Sequence, residues 1–193
     1  MEKLAEKIKD AICKENPVYT EEQKETIKFG LECVLNETTK TLIYLIFFSI
    51  LSLTGYYLVA LAFFWVTRMF AGGFHANTYG ECFIITFAII SIGIFTGSQL
   101  GLPFYIRCAL LLVSVILAII FAPVDHPNKP IISTKRRTLF KYMSVATFIL
   151  LSAVTFAFEE HYAATAVITL FMEAISLPAG YMVKRRINMY ENS

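Results

Sequence analysis

The chain has 193 residues, 56% of them hydrophobic and 15% aromatic, more apolar material than one soluble core of this size normally holds. Its net charge of +2 is too small and too scattered to suggest a nucleic-acid partner, and long uncharged runs separate the charged clusters. That is the layout of an all-α integral membrane protein, several spans joined by short loops, with no apolar targeting core ahead of them.

The first segment, "MEKLAEKIKDAICKEN", sets Leu4, Ile8, Ala11 and Ile12 at helical spacing among lysines and acids, which predicts an amphipathic helix at a membrane surface. Pro17 ends it. "TEEQ" at Thr20 to Gln23 has the form of a capping box and starts a second helix with Ile27, Leu31 and Val34 on its apolar stripe. These two helices, within residues 1–40, either pack on the remainder or receive a substrate.

Residues 41–70 are almost continuously apolar, with Thr54-Gly55 near the middle. One helix of that length reaches roughly 45 Å, against a hydrocarbon core of about 30 Å, so the stretch either tilts or bends back at Thr54-Gly55. Phe83 to Leu100, Phe104 to Phe121, Tyr142 to Phe158 and Ala163 to Val183 each fit one span. The loop with Lys129, Lys135, Arg136, Arg137 and Lys141, and the tail 184–193 opening on Lys184-Arg185-Arg186, are basic. The loop with Glu159 and Glu160 has no lysine or arginine, so both basic segments are expected in the cytoplasm. Counting back puts residues 68–82 on the same side. A cytoplasmic N-terminus then favours a hairpin over 41–70. The expectation is one polytopic domain over 1–193 with about six membrane helices, the first two short and hairpin-like, and four spans within 83–183.

Cys13, Cys33, Cys82 and Cys108 have neither zinc-site spacing nor disulfide-scaffold density, and all four are expected reduced. Three of them read as small packing residues. Cys82 differs, because it closes the string "RMFAGGFHANTYGEC", Arg68 to Cys82. A free thiol with a pKa of about 8.5 needs a base or positive electrostatics to act as a nucleophile at neutral pH, and His75 is the nearest candidate base. In an unbroken helix the two would stand roughly 10.5 Å apart along the axis, so catalysis requires the chain to fold back between them. Gly72, Gly73 and Gly80 permit unusual backbone angles, and "TYGE" at Thr78 to Glu81 is a second capping box that starts a helix at Tyr79. Cys82 then falls in that helix's first turn, where the dipole favours negative charge. Arg68 is placed to offset Glu81, orient a peptide carbonyl or stabilise an oxyanion. From composition alone, the same string reads more readily as a polar re-entrant turn with a hydrogen-bonded His75 and a packing Cys82.

The string resembles the signature of the accessory gene regulator B (AgrB) family, membrane peptidases of Gram-positive quorum sensing. The resemblance extends to the chain length, to "FGLE" at Phe29 to Glu32 and to the basic loop after "APVDHPNKPI". It implies that Cys82 is the nucleophile and His75 its base, with Arg68, Gly72 and Gly73 in support and 68–82 as the catalytic loop. The implied substrate is a short AgrD-like pheromone precursor with an amphipathic leader, a central segment bearing a cysteine or serine, and an acidic tail. Cys82 would release the tail as an acyl-enzyme thioester forms, and the precursor's own thiol would then close a thiolactone ring (a lactone with serine). No cofactor or metal is implied. The implied location is the multi-pass cell membrane of a Gram-positive bacterium, with the site near the cytoplasmic face and a homodimer as the assembly.

Lys135, Arg136 and Arg137 are candidate contacts for the acidic tail, beside the simpler role of setting topology and meeting anionic lipids. Asp125 and His126 sit in a proline-rich connection, where capping or solvation competes with assisting the base. His161, beside Glu159 and Glu160, belongs to the opposite face and is left out of the site. Two rival functions are a transporter or channel component with 68–82 as a broken-helix element, and a metal-dependent intramembrane protease, although no His-Glu-x-x-His helix is present.

Overall fold

The computed structural model describes residues 2–15, 19–74, 78–124 and 133–191, and it divides the chain into two compact units, Met1–Ser52 and Leu53–Ser193. In the first unit, α1 (Glu2–Glu15) packs against α2 (Glu21–Ile50). The predicted box at Thr20 forms in full: the Thr20 hydroxyl accepts from Gln23 N–H at 3.3 Å, and Thr20 N–H donates to the Gln23 side chain at 2.9 Å. Lys28 of α2 reaches Glu2 and Glu6 of α1 at 3.3 and 3.7 Å. These exposed, solvent-screened pairs orient the two helices more than they hold them.

The sequence reading ended the second amphipathic helix before residue 41. Instead α2 runs without interruption into the apolar stretch, because Asn36 to Thr41 contains neither glycine nor proline to stop it. The break in the apolar stretch falls at Leu51 to Leu53, just ahead of Thr54-Gly55, and Ser52 takes a left-handed φ of 58°.

The second unit holds α3 (Thr54–Ala71), α4 (Tyr79–Gln99), α5 (Phe104–Phe121), α6 (Thr134–Val154), a short 3-10 turn (Thr155–Ala157) and α7 (Glu160–Glu191). Helices are the expected solution in lipid, where each backbone N–H and C=O must find its partner within the segment. Six helices, α2 to α7, are long and apolar enough to cross a bilayer, and no strand occurs among the described residues.

The packing centres on α7, which lies against α3, α4 and α5. In its most apolar stretch 56% of residues are buried, against at most 33% in the other spans. Its buried face mixes Val167, Leu170 and Leu177 with many small or polar residues (Ala163, Ala164, Thr165, Ala166, Thr169, Ala174), whereas Trp65, Ile84, Leu112 and Leu150 on other helices point outward. The small residues suit a setting where lipid is as apolar as leucine and close backbone approach is a main attraction between helices. The α4–α7 contact uses it directly. A Cβ on Gly97 would lie 2.6 Å from Thr165 Cα, and one on Gly93 would overlap the Thr169 hydroxyl. The Thr165 and Thr169 hydroxyls donate back to the carbonyls of His161 and Thr165, so no buried donor is wasted there.

Candidate functional site

α3 stops at Ala71 because the next two residues adopt backbone angles closed to other side chains. Gly72 has φ 71° and Gly73 φ 141°. Gly72 N–H still closes onto Arg68 O at 3.2 Å, and Val124 N–H donates to Ala71 O at 2.9 Å. A Cβ on Gly72 would overlap the Val124 carbonyl, and one on Gly180 of α7 would come within 2.9 Å of Gly73 O. The glycine pair is therefore pinched between the end of α5's chain and α7. Ser144 Oγ of α6, 2.8 Å from Phe70 O, ties a fourth helix to the same corner.

The chain re-enters α4 through Thr78, whose hydroxyl accepts from Glu81 N–H at 3.3 Å. Cys82 lies in the first turn, its N–H donating to Thr78 O at 3.1 Å, as the sequence predicted. Its side chain is half-buried and lines a narrow cleft whose free volume, about 10 Å³, is that of a single water. Phe64, Phe74, Ile85 and Ile89 make the cleft mainly apolar, while Arg68 and Ser176 bring polar groups to it.

Arg68 does not reach out to Glu81, which is exposed. Its Nη1 lies 3.7 Å from Glu173 Oε2 of α7, its Nη2 donates to Phe74 O, and its guanidinium carbon sits 5.7 Å above the Phe64 ring. Glu173 is 1% exposed. Sequence reasoning passed over it, although an acid inside the run Ala163 to Val183 is itself a signal, since a carboxylate is retained in a span where it has a partner or a task. Ser176, one helical turn further along α7, was also missed. Gly73 explains how these groups meet: a Cβ there would lie 2.7 Å from Ser176 Oγ and overlap Arg68 Nη1.

Of the site residues read from the sequence, Arg68, Gly72, Gly73 and Cys82 converge at this one end of the bundle. His75 lies outside the described residues, as do Asp125, His126 and Lys129. Lys135, Arg136 and Arg137 are exposed in the first turn of α6 and do not line the cleft. His161 Nδ1 is 3.2 Å from Gly97 O, fifteen positions beyond Cys82 on α4 and so roughly 22 Å along the axis. No disulfide joins any of the four cysteines, and no three His, Cys, Asp or Glu side chains converge among the described residues.

The family model described as Accessory gene regulator B matches residues 3–177. A Listeria welshimeri protein described as AgrB-like is 28% identical over 196 residues, covering 97% of this chain and 94% of its own. No solved structure matches.

Proposed function

This chain belongs to the accessory gene regulator B family, and we propose that within that system it is a membrane cysteine endopeptidase that trims and cyclises a peptide pheromone precursor. The observation that carries the reading is the shared cleft of Cys82 and Arg68, a thiol and a cation against apolar walls at the end of a membrane bundle. The family links the chain to an AgrD-like precursor and to the membrane.

In this reading Cys82 Sγ attacks the carbonyl carbon at the end of the precursor's central segment, while His75 takes the thiol proton. The C–N bond breaks, His75 returns the proton to the departing amine of the acidic tail, and the retained peptide stays on Cys82 as a thioester. The precursor's own thiol then attacks that thioester, its proton passing back to Cys82 as the S–C bond to the enzyme breaks and the ring bond forms. The second exchange is nearly neutral in free energy and the first is uphill, so removal of tail or product draws the sequence forward. The apolar walls support the exchange by limiting water at the thioester.

The site is assigned to the cytoplasmic face of a Gram-positive cell membrane. Ser144 of α6 meets Phe70 at the end of α3 that carries Arg68, the basic start of α6 with Lys135, Arg136 and Arg137 precedes Ser144 by roughly two turns or more, and basic segments favour the cytoplasm. The three cations are proposed to meet the precursor's acidic tail.

The test is mass spectrometry of precursor incubated in liposomes with wild type, Cys82→Ala and His75→Ala. Tail release together with dehydration of the trimmed peptide, absent in both variants, supports the reading. Cleavage that survives Cys82→Ala returns the question to metal chemistry or transport.

A further inference from the structure

Ser176 is 7% exposed, lines the Cys82 cleft, and its Oγ has no hydrogen-bond partner among the described residues. A hydroxyl left unpaired in a buried position is destabilising, and buried polar atoms are otherwise almost always satisfied. Many helical serines avoid that cost by donating to the carbonyl four residues back, as Ser114 does to Leu110. The donors of Arg68, by contrast, are directed to Phe74 O and towards Glu173. The cleft therefore presents a cation already engaged and a neutral donor with nothing to bind.

We infer that Ser176 is a further catalytic residue: its hydroxyl donates to the oxygen of the carbonyl that Cys82 attacks. This rests on the endopeptidase reading of the same cleft. As the S–C bond forms, the carbonyl π pair moves onto oxygen, and the Ser176 O–H stabilises that charge by a hydrogen bond without giving up its proton. Collapse restores the C=O bond and expels the amine of the tail, so Ser176 ends the step unchanged. The same donor serves the second tetrahedral centre, when the precursor's thiol attacks the thioester. The Arg68–Glu173 pair beside it adds a local dipole with no net charge, which leaves the neutral hydroxyl as the group whose hydrogen bond strengthens most as the oxyanion develops. Gly73 makes room for the arrangement, because any side chain there would displace Ser176 Oγ or the guanidinium.

The experiment compares wild type, Ser176→Ala, Ser176→Thr and Cys82→Ala, full-length in liposomes, by kcat and KM for tail release, thermal midpoint, and the rate at which iodoacetamide alkylates Cys82. Removing one oxyanion donor costs about 10²–10³ in kcat. The expected result is a loss of that order in Ser176→Ala, with KM and Cys82 alkylation unchanged, a midpoint equal to or above wild type because the unpaired hydroxyl is gone, and most of the rate restored by Ser176→Thr. A Ser176→Ala enzyme that keeps its kcat while Cys82→Ala is inactive overturns the inference and leaves the endopeptidase reading standing. A loss accompanied by a lower midpoint or altered alkylation also overturns it, by making Ser176 a packing residue. Cleavage by Cys82→Ala overturns the endopeptidase reading itself.

Discussion

The Glu173 carboxylate of α7 lies 3.7 Å from the Arg68 guanidinium of α3, and it is all but excluded from solvent. The pair joins the central helix to the helix whose end delivers the glycine loop, so it fixes the geometry of the cleft from behind. Removing one partner of such a pair leaves an uncompensated charge in a low-dielectric interior, at a cost of about 3–5 kcal/mol. Glu173→Ala is expected to lower stability by that order in detergent unfolding and to abolish tail release. Glu173→Gln, which retains a hydrogen-bond acceptor, should lose less stability, and an Arg68→Ala/Glu173→Ala double variant should be more stable than either single change.

Gly73→Ala should disable the enzyme with only moderate loss of fold. Its φ of 141° disfavours any side chain, and the new methyl would push against Arg68 and Ser176. The expected outcome is at least a tenfold fall in kcat/KM for tail release, about 1.4 kcal/mol or more. Gly80, in the same motif, has no neighbouring atom within 4 Å of the point where a methyl would stand, so Gly80→Ala should be nearly silent in the same assay.

Gly97→Val should fail to fold. The α4–α7 contact brings Thr165 backbone to where the side chain would begin, and a helix cannot yield there without parting from its neighbour. Expression and monodispersity in detergent measure this. Gly30→Ala on α2 meets no atom within 4 Å and should raise stability by up to about 1 kcal/mol, through helix propensity alone.

Charge reversal of Lys135, Arg136 and Arg137 should raise KM for a precursor with its acidic tail and leave kcat near wild type, with orientation checked by cysteine accessibility. An unchanged KM would assign the three residues to topology alone.

The spans were legible wherever hydrophobicity and caps coincide. Phe104 to Phe121 is α5 end to end, and Thr78 caps α4 through its hydroxyl, one half of the box expected at "TYGE". Cys82 followed from that cap. The continuity of α2 was not legible, because polar residues at 36–41 look like a boundary although none of them ends a helix. Nor was the polar cluster on α7. Glu173 carries a signal of its own, the one acid between Ala163 and Val183, but its pairing with Arg68 and the place of Ser176 in the cleft depend on what α3 sets opposite them, a tertiary relation. The same holds for Gly93 and Gly97, whose spacing permits close packing without naming the partner helix.

The most direct measurement is acid-quenched mass spectrometry of the protein after mixing with a precursor whose ring-forming cysteine is replaced by alanine, with the released tail degraded as it forms. The account predicts the trimmed peptide as a hydroxylamine-labile thioester on the Cys82 fragment, absent from Cys82→Ala. Tail release by Cys82→Ala at the wild-type rate, with no adduct on either protein, would contradict it.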